Sequence, residues 1–248
     1  MNSQRSKSPG LRRFAGEIAI IVIGVLIALG AQQFVQDFSD RQRADDAIAA
    51  IRNEVAEHDF SAAEIQIAAP CISAQVDALQ KKLVAGDPAP SIRYRDRWNK
   101  LGFVIRMPTR VWGDSAWQSI RDADVLRRLE PEFYNRIASH YDQVSDQREG
   151  RTSVDDDLND LSALAVMMPR AESDRFRNIQ IAEQVRRRAD SLDLTAGQMR
   201  DRLARINLTT GEAELTKALS DSGTIQFCRE HGYPLGKLRK LNPNSSDM

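Results

Sequence analysis

Apolar positions along this chain change their spacing twice. Residues 14–35 read FAGEIAIIVIGVLIALGAQQFV, an apolar block whose only charge, Glu17, lies one turn from its start. A helix of about 22 residues rises roughly 33 Å, enough to cross a hydrocarbon core of about 30 Å. The block then gives way to a heptad-like seam. Ala44, Ile48, Ile51, Val55, His58, Ala62, Ile65, Ala69, Ile72, Val76, Leu79 and Leu83 follow one another at alternating steps of four and three. Only His58 interrupts that seam, which predicts a long helix with one buried stripe. Pro70 lies off the seam and predicts a kink. Gly86-Asp87-Pro88-Ala89-Pro90 predicts the end of the helix.

Beyond the breakers the helical period returns in pieces. Residues 91–109 hold Arg93, Arg95, Arg97 and Lys100 around Tyr94 and Trp98. Interleaved cations and aromatics can bind nucleic acid or lipid headgroups. A loop or short helix packing its aromatics on a bundle is the preferred reading. Asp114 or Ser115 is placed to cap a short helix carrying Trp117 and Ile120, and Asp124 to start a further turn with Leu126 and Leu129 inward. Glu130-Pro131-Glu132 is a helix start, after which Phe133, Ile137, His140 and Val144 line one face with Tyr141 beside them. The polar residues 145–157 include Gly150 and Asp155-Asp156-Asp157. Three consecutive acids suit a cation site, but also the first turn of a helix capped by Ser153, which is the expectation here. Leu158, Leu161, Ala165 and Met168 carry an apolar face to Pro169. Another run uses Ala182, Val185, Ala189, Leu192, Ala196, Met199, Leu203 and Ile206. Thr210-Gly211 is expected to break it, residues 212–228 to form a last helix, and the chain from Gly232 to be extended or mobile.

The expected fold is all-α: one N-terminal transmembrane helix continuing into a stalk, then an antiparallel helical bundle. The expected segments are a cytoplasmic residues 1–13, a transmembrane helix 14–35, a long helix or stalk 36–90, a bundle domain 91–231 completed by the long helix, and a mobile tail 232–248. Composition agrees, with 42% hydrophobic and 28% charged residues and few turn formers. The 35 basic and 35 acidic residues cancel, so nothing draws the chain in bulk to nucleic acid.

Charge also sets the expected orientation. Arg5, Lys7, Arg12 and Arg13 precede the apolar block with no acid among them. On its other side Arg41, Arg43 and Arg52 are diluted by Asp37, Asp40, Asp45, Asp46 and Glu54. The bias places the N-terminus inside, which in a bacterium means an inner-membrane anchor with the domain in the periplasm. A cleaved signal peptide is the alternative, with residues 18–29 as its apolar core and Ala28-Leu29-Gly30 offering small residues. Phe34, Val35 and Phe38 prolong the apolar face without a breaker and favour an anchor that stays. Gly24 and Ala28 form a small-xxx-small pair that suits close packing of membrane helices, although small residues are also common there without that role.

These residues resemble a group of uncharacterised bacterial single-pass membrane proteins. The shared plan is a Gly-Glu before an apolar anchor, a coiled stalk, an aromatic followed by a short helix and turn, then a helix ending near a tyrosine. Gly16-Glu17, residues 24–29, residues 117–120, Leu126 and Tyr141 carry the match, with a looser echo in residues 228–234. The turn usually holds Gly where this chain has Asp122-Ala123. The resemblance implies the anchor and the helical fold, and no chemistry.

Candidate chemistry is sparse. Cys71 and Cys228 are the only cysteines. In an oxidising compartment an even count favours a disulfide, and two buried free thiols are the alternative. The histidines are His58, His140 and His231, and two of them sit on apolar seams. None lies in a His-Glu-x-x-His or Cys-x-x-Cys frame, and no phosphate loop or Gly-x-Ser-x-Gly is present, so no metal, cofactor or enzymatic activity is expected. Two roles remain. One is a membrane-tethered interaction or scaffold module that binds itself or an envelope protein. The other is a periplasmic ligand-binding sensory bundle acting through a partner membrane protein.

Overall fold

A computed structural model describes residues 9–87, 94–95, 102–121 and 130–241, with side chains placed from residue 21 onward except at 94, 95 and 102. The architecture is all-α. Its helices are α1 (Pro9–Ala85), α2 (Ser115–Arg121), α3 (Pro131–Leu161), α4 (Glu172–Arg205), α5 (Glu212–Ser220) and α6 (Gly223–Glu230). A two-residue antiparallel ladder, β1 (Tyr94–Arg95) with β2 (Gly102–Phe103), pairs Tyr94 with Phe103. It falls where the sequence suggested a loop or short helix. The turn expected at Asp124 lies outside the described residues.

The chain divides into two compact units, Met1–Ile48 and Ala49–Met248. In the first, α1 is the one described helix long and apolar enough to cross a membrane, with a mean hydropathy of 1.6 over its best window. Its apolar side chains are uncovered: Ile21, Ile27, Phe34 and Val35 are 65–75% exposed. So much contiguous apolar surface suits lipid rather than water. Among the described residues nothing lies within 4 Å of a Cβ built on Gly24. Arg5 and Lys7 lie outside the described residues, and of Arg12 and Arg13 only the backbone, in α1, is described.

In the second unit the rest of α1 joins α3 and α4. Asp59 meets Arg200 and Asp77 meets Arg186, so α4 runs antiparallel to α1. Ser139 meets Arg202 and Asp157 meets Arg188, so α4 is also antiparallel to α3. The heptad seam closes on the chain's own bundle. Ile72, Val76, Leu79 and Leu83 share a core with Val154, Leu161, Val185, Ala189 and Leu192. Of the run on α4, Ala182, Val185, Ala189, Leu192, Ala196, Met199 and Leu203 are all buried.

The seam is only one side of what α1 buries. Residues 58–64 are buried on every face, because Phe60 and Ala63 pack beneath Leu215, Leu219 and Ile225 of α5 and α6. The polar residues so enclosed are satisfied. Asp59 accepts from Arg200 Nε at 2.7 Å and from the Thr210 amide at 2.8 Å. Glu64 accepts from Arg110 Nε at 2.8 Å and from the Ser222 hydroxyl.

Four expectations need correction. Helix α3 continues unbroken through Gly150, so Asp155, Asp156 and Asp157 lie within it rather than at a new N-terminus behind Ser153. Gly150 is there for contact: a Cβ would come within 3.0 Å of Leu192 on α4. Asp155 pairs with Arg151 and Asp157 with Arg188. Helix α4 ends before Thr210, where Asn207 takes a left-handed φ of 54° and Leu208 N–H bonds the Leu203 carbonyl at 3.0 Å. The last helix is two, since Ser222 interrupts it and caps α6 through the Ile225 amide. Finally, the described tail is packed. Gly236 N–H bonds the Ile67 carbonyl at 2.8 Å, Leu235 and Leu238 join the core, and Arg239 pairs with Asp193 at 2.6 Å. This contact lies at Pro70, which has no N–H to offer the Gln66 carbonyl one turn back. Gly236 settles against that stretch, and α1 stays helical through Pro70.

Candidate functional site

Glu54 and His58 are one turn apart on α1, and His140 and Tyr141 are adjacent on α3. Trp112 and Gly113, which precede α2, close over them, and Trp117 of α2 adds a third wall. Trp117 stacks on Tyr141 with ring centroids 5.1 Å apart and planes 7° from parallel, and His58 stacks on Trp112 at 5.6 Å. Both histidines are 1% exposed.

The protons in this cluster are fixed by its hydrogen bonds. His58 Nε2 lies 2.8 Å from the Gly113 carbonyl, which can only accept, so Nε2 carries the proton. Neutral His58 then presents a lone pair at Nδ1. His140 Nε2, 3.0 Å away, donates to it. Neutral His140 therefore has its own lone pair at Nδ1. That buried atom has no hydrogen-bond partner among the described residues. Burial pushes the His140 imidazole down to about 3, with the charges of His58 and Arg202 adding to the effect. Burial also lowers His58, against the opposing pull of the Gly113 carbonyl and Glu54. Both rings are neutral near pH 7. A base as weak as His140 is poorly matched to proton transfer at that pH.

Glu54 ties the cluster together. Its Oε2 accepts from the Tyr141 hydroxyl at 2.6 Å, and its Oε1 from the Ser115 hydroxyl at 3.0 Å and the Ala116 amide at 3.3 Å. Burial alone would raise this carboxyl, but those donors together hold it below the usual range. Tyr141 is pushed up by burial and by its bond to Glu54.

Behind His140 lies a cavity of about 380 Å³ between the start of α3 and the end of α4. Glu132, Asn135, Arg136, Ser139 and His140 line it from α3, and Arg202, Leu203, Arg205 and Ile206 from α4 and its end. Arg136 pairs with Glu132, and Arg202 donates to the Ser139 hydroxyl at 3.0 Å. Three arginines and one glutamate thus stand among its lining residues.

Cys71 and Cys228 are joined by a disulfide, with Cα atoms 6.0 Å apart, tying α1 to α6 beside Phe227. His231 is remote from the cluster and stacks on Phe227 at 4.2 Å. Among the described residues no three His, Cys, Asp or Glu side chains are grouped to hold a metal ion. Sequence reasoning saw His58 and His140 as separate interior residues and overlooked Glu54 and the cavity arginines. The available signal was that two helices each carry a histidine on an otherwise apolar seam. Compared with protein families, characterised proteins and solved structures, the chain matches none.

Proposed function

We propose that this chain is a membrane-anchored helical interaction module of the bacterial cell envelope. Helix α1 is held in the inner membrane with the N-terminus in the cytoplasm, and the bundle works on the periplasmic side. The observation that carries this reading is that one unbroken helix bears the exposed apolar segment and also supplies the centre of the bundle. A disulfide in the bundle fits an oxidising compartment. The group of bacterial single-pass proteins the sequence resembles has the same plan.

Chemical cross-linking in native membranes, followed by detergent solubilisation and sizing, tests the interaction role. A discrete adduct with a second copy or an envelope protein is the expected result. A chain that stays monomeric and captures no partner argues against it.

One observation favours a second reading, a ligand-binding sensory bundle acting through a partner membrane protein. The cavity beside His140, between α3 and α4, has the size of a small-molecule site. A small compound that raises the melting temperature of the purified chain supports this role.

A further inference from the structure

We propose that the end of the bundle where α1 stops and α4 begins docks on an anionic lipid surface. The side chains of Val84, Val166, Met167 and Phe176 enter the lipid there, and the lysines and arginines around them meet its phosphates.

Packing brings these residues to one end. Leu83 of α1 shares a core with Leu161, Leu164, Ala165 and Met168 around the end of α3, and with Ile181 of α4. A Cβ on Gly86 would lie 3.6 Å from the Arg175 guanidinium carbon, so the chain just past α1 meets the first turn of α4. Beside these contacts large apolar side chains turn outward. Val84 is 73% exposed, Val166 64%, Met167 70% and Phe176 61%. Among the described residues of the bundle, the five most exposed large apolar side chains are these four and Val111. Single apolar residues scattered on a surface are ordinary, but four gathered at one end mark a contact.

Charge selects the partner. Over residues 81–87 and 166–177 the cations are Lys81, Lys82, Arg170, Arg175 and Arg177, against three acids. Two of those acids, Glu172 and Asp174, lie in the first turn of α4, where the positive end of the helix offsets them. The whole chain carries no net charge, so the excess is local. The sequence after Asp87 has the same character, with Arg93, Arg95, Arg97 and Lys100 around Tyr94 and Trp98. Apolar side chains set among cations suit the boundary of an anionic bilayer. Protein interfaces, in contrast, are depleted of lysine at their cores.

The test uses the full chain in phosphatidylcholine nanodiscs, so that the apolar stretch of α1 is already covered. The discs are mixed with sucrose-loaded vesicles, either of phosphatidylcholine alone or of equal parts phosphatidylcholine and phosphatidylglycerol. They are expected to sediment with the anionic vesicles and not with the neutral ones, and added salt should weaken the binding. Phe176→Ser combined with Met167→Ser is expected to lower the affinity at least about tenfold. Arg170→Gln and Arg177→Gln should each weaken it about fivefold. All four side chains are exposed, so the variants keep the fold, which an unchanged melting temperature verifies. Equal sedimentation with both vesicles, sedimentation with neither, or variants that bind like the wild type overturns the inference. Discs that pair with one another in sizing but ignore the vesicles overturn it as well, and assign this end to a second copy of the chain.

Discussion

His140 Nε2 donates to His58 Nδ1 across 3.0 Å, a bond that holds only while His58 Nδ1 stays unprotonated. Protonating His58 would place a proton on Nδ1 facing another donor. Burial, which disfavours the charged form, holds both rings below the ordinary histidine value of 6.5. The groups facing them are Glu54, Asp114, Arg148, Tyr141 and Arg202.

A pH dependence of stability follows from that depression. Above about pH 6.5 the rings are neutral in both folded and unfolded chains, and their contribution is complete. As pH falls below that value the unfolded chain takes up protons that the folded chain refuses. Stability should then decline by up to about 1.4 kcal/mol per pH unit for each ring. Glu54, held low, adds to the loss only below about pH 4.5, its ordinary value. Melting temperatures of the solubilised chain between pH 8 and pH 5 check this (about three units spanning the histidine range). A plateau above neutrality and a fall below it are expected, and a rise toward pH 5 would contradict the account.

Tyr141→Phe removes the hydroxyl that Glu54 accepts at 2.6 Å while leaving the ring stacked on Trp117. Bonds to a charged group are the stronger kind, so a loss of about 2 kcal/mol is expected in urea unfolding. The Glu54 carboxyl should titrate at higher pH in the variant, which carbon-13 spectra can follow.

Asp59 and Arg200 are 0% and 4% exposed at their side chains and lie 2.7 Å apart. Arg200→Met leaves Asp59 as a buried charge with only the Thr210 amide as its remaining described donor. Breaking such a pair from one side costs about 3–5 kcal/mol. The double variant Asp59→Leu with Arg200→Met should recover part of that loss, as a double-mutant cycle on denaturant unfolding would show.

Gly236→Ala tests the docking of the tail over Pro70. A Cβ there would lie 2.5 Å from the Gln66 carbonyl oxygen and 3.3 Å from the proline ring, both on α1. Backbone cannot give way as a side-chain tip can, so about 1–3 kcal/mol of stability should be lost. An unchanged melting curve would mean that the tail leaves this position easily.

The helices were legible in the sequence because each buried stripe repeats with the helical period. The run from Ala182 to Ile206 is such a stripe, and every predicted member but the half-buried Ile206 is buried. The Glu130-Pro131-Glu132 start was equally plain. Gly150 misled because glycine in a polar stretch resembles a loop, whereas here it serves the close approach of α3 to Leu192. Thr210-Gly211 misplaced the end of α4 because Asn207 had already supplied the left-handed turn. The packed tail was hidden because its fit is to the backbone of α1 around Ile67 and Pro70, far away along the chain. The histidine pair was half visible: each ring broke an apolar seam, but only the parallel course of α1 and α3 brings the two together. Arg136, Arg202 and Arg205 carry no periodic signal, so the cavity was not readable at all.

Compartment and tether together form the central claim, and protease access with thiol labelling tests them directly. Spheroplasts bearing the full chain would be exposed to protease, and Cys71 and Cys228 probed with an alkylating reagent before and after reduction. The account predicts a chain that sediments with the membrane, loses its bundle to external protease, and shows two reactive thiols only after denaturation and reduction. A chain that stays in the soluble cytosolic fraction, protected from external protease and with both thiols free, would contradict it.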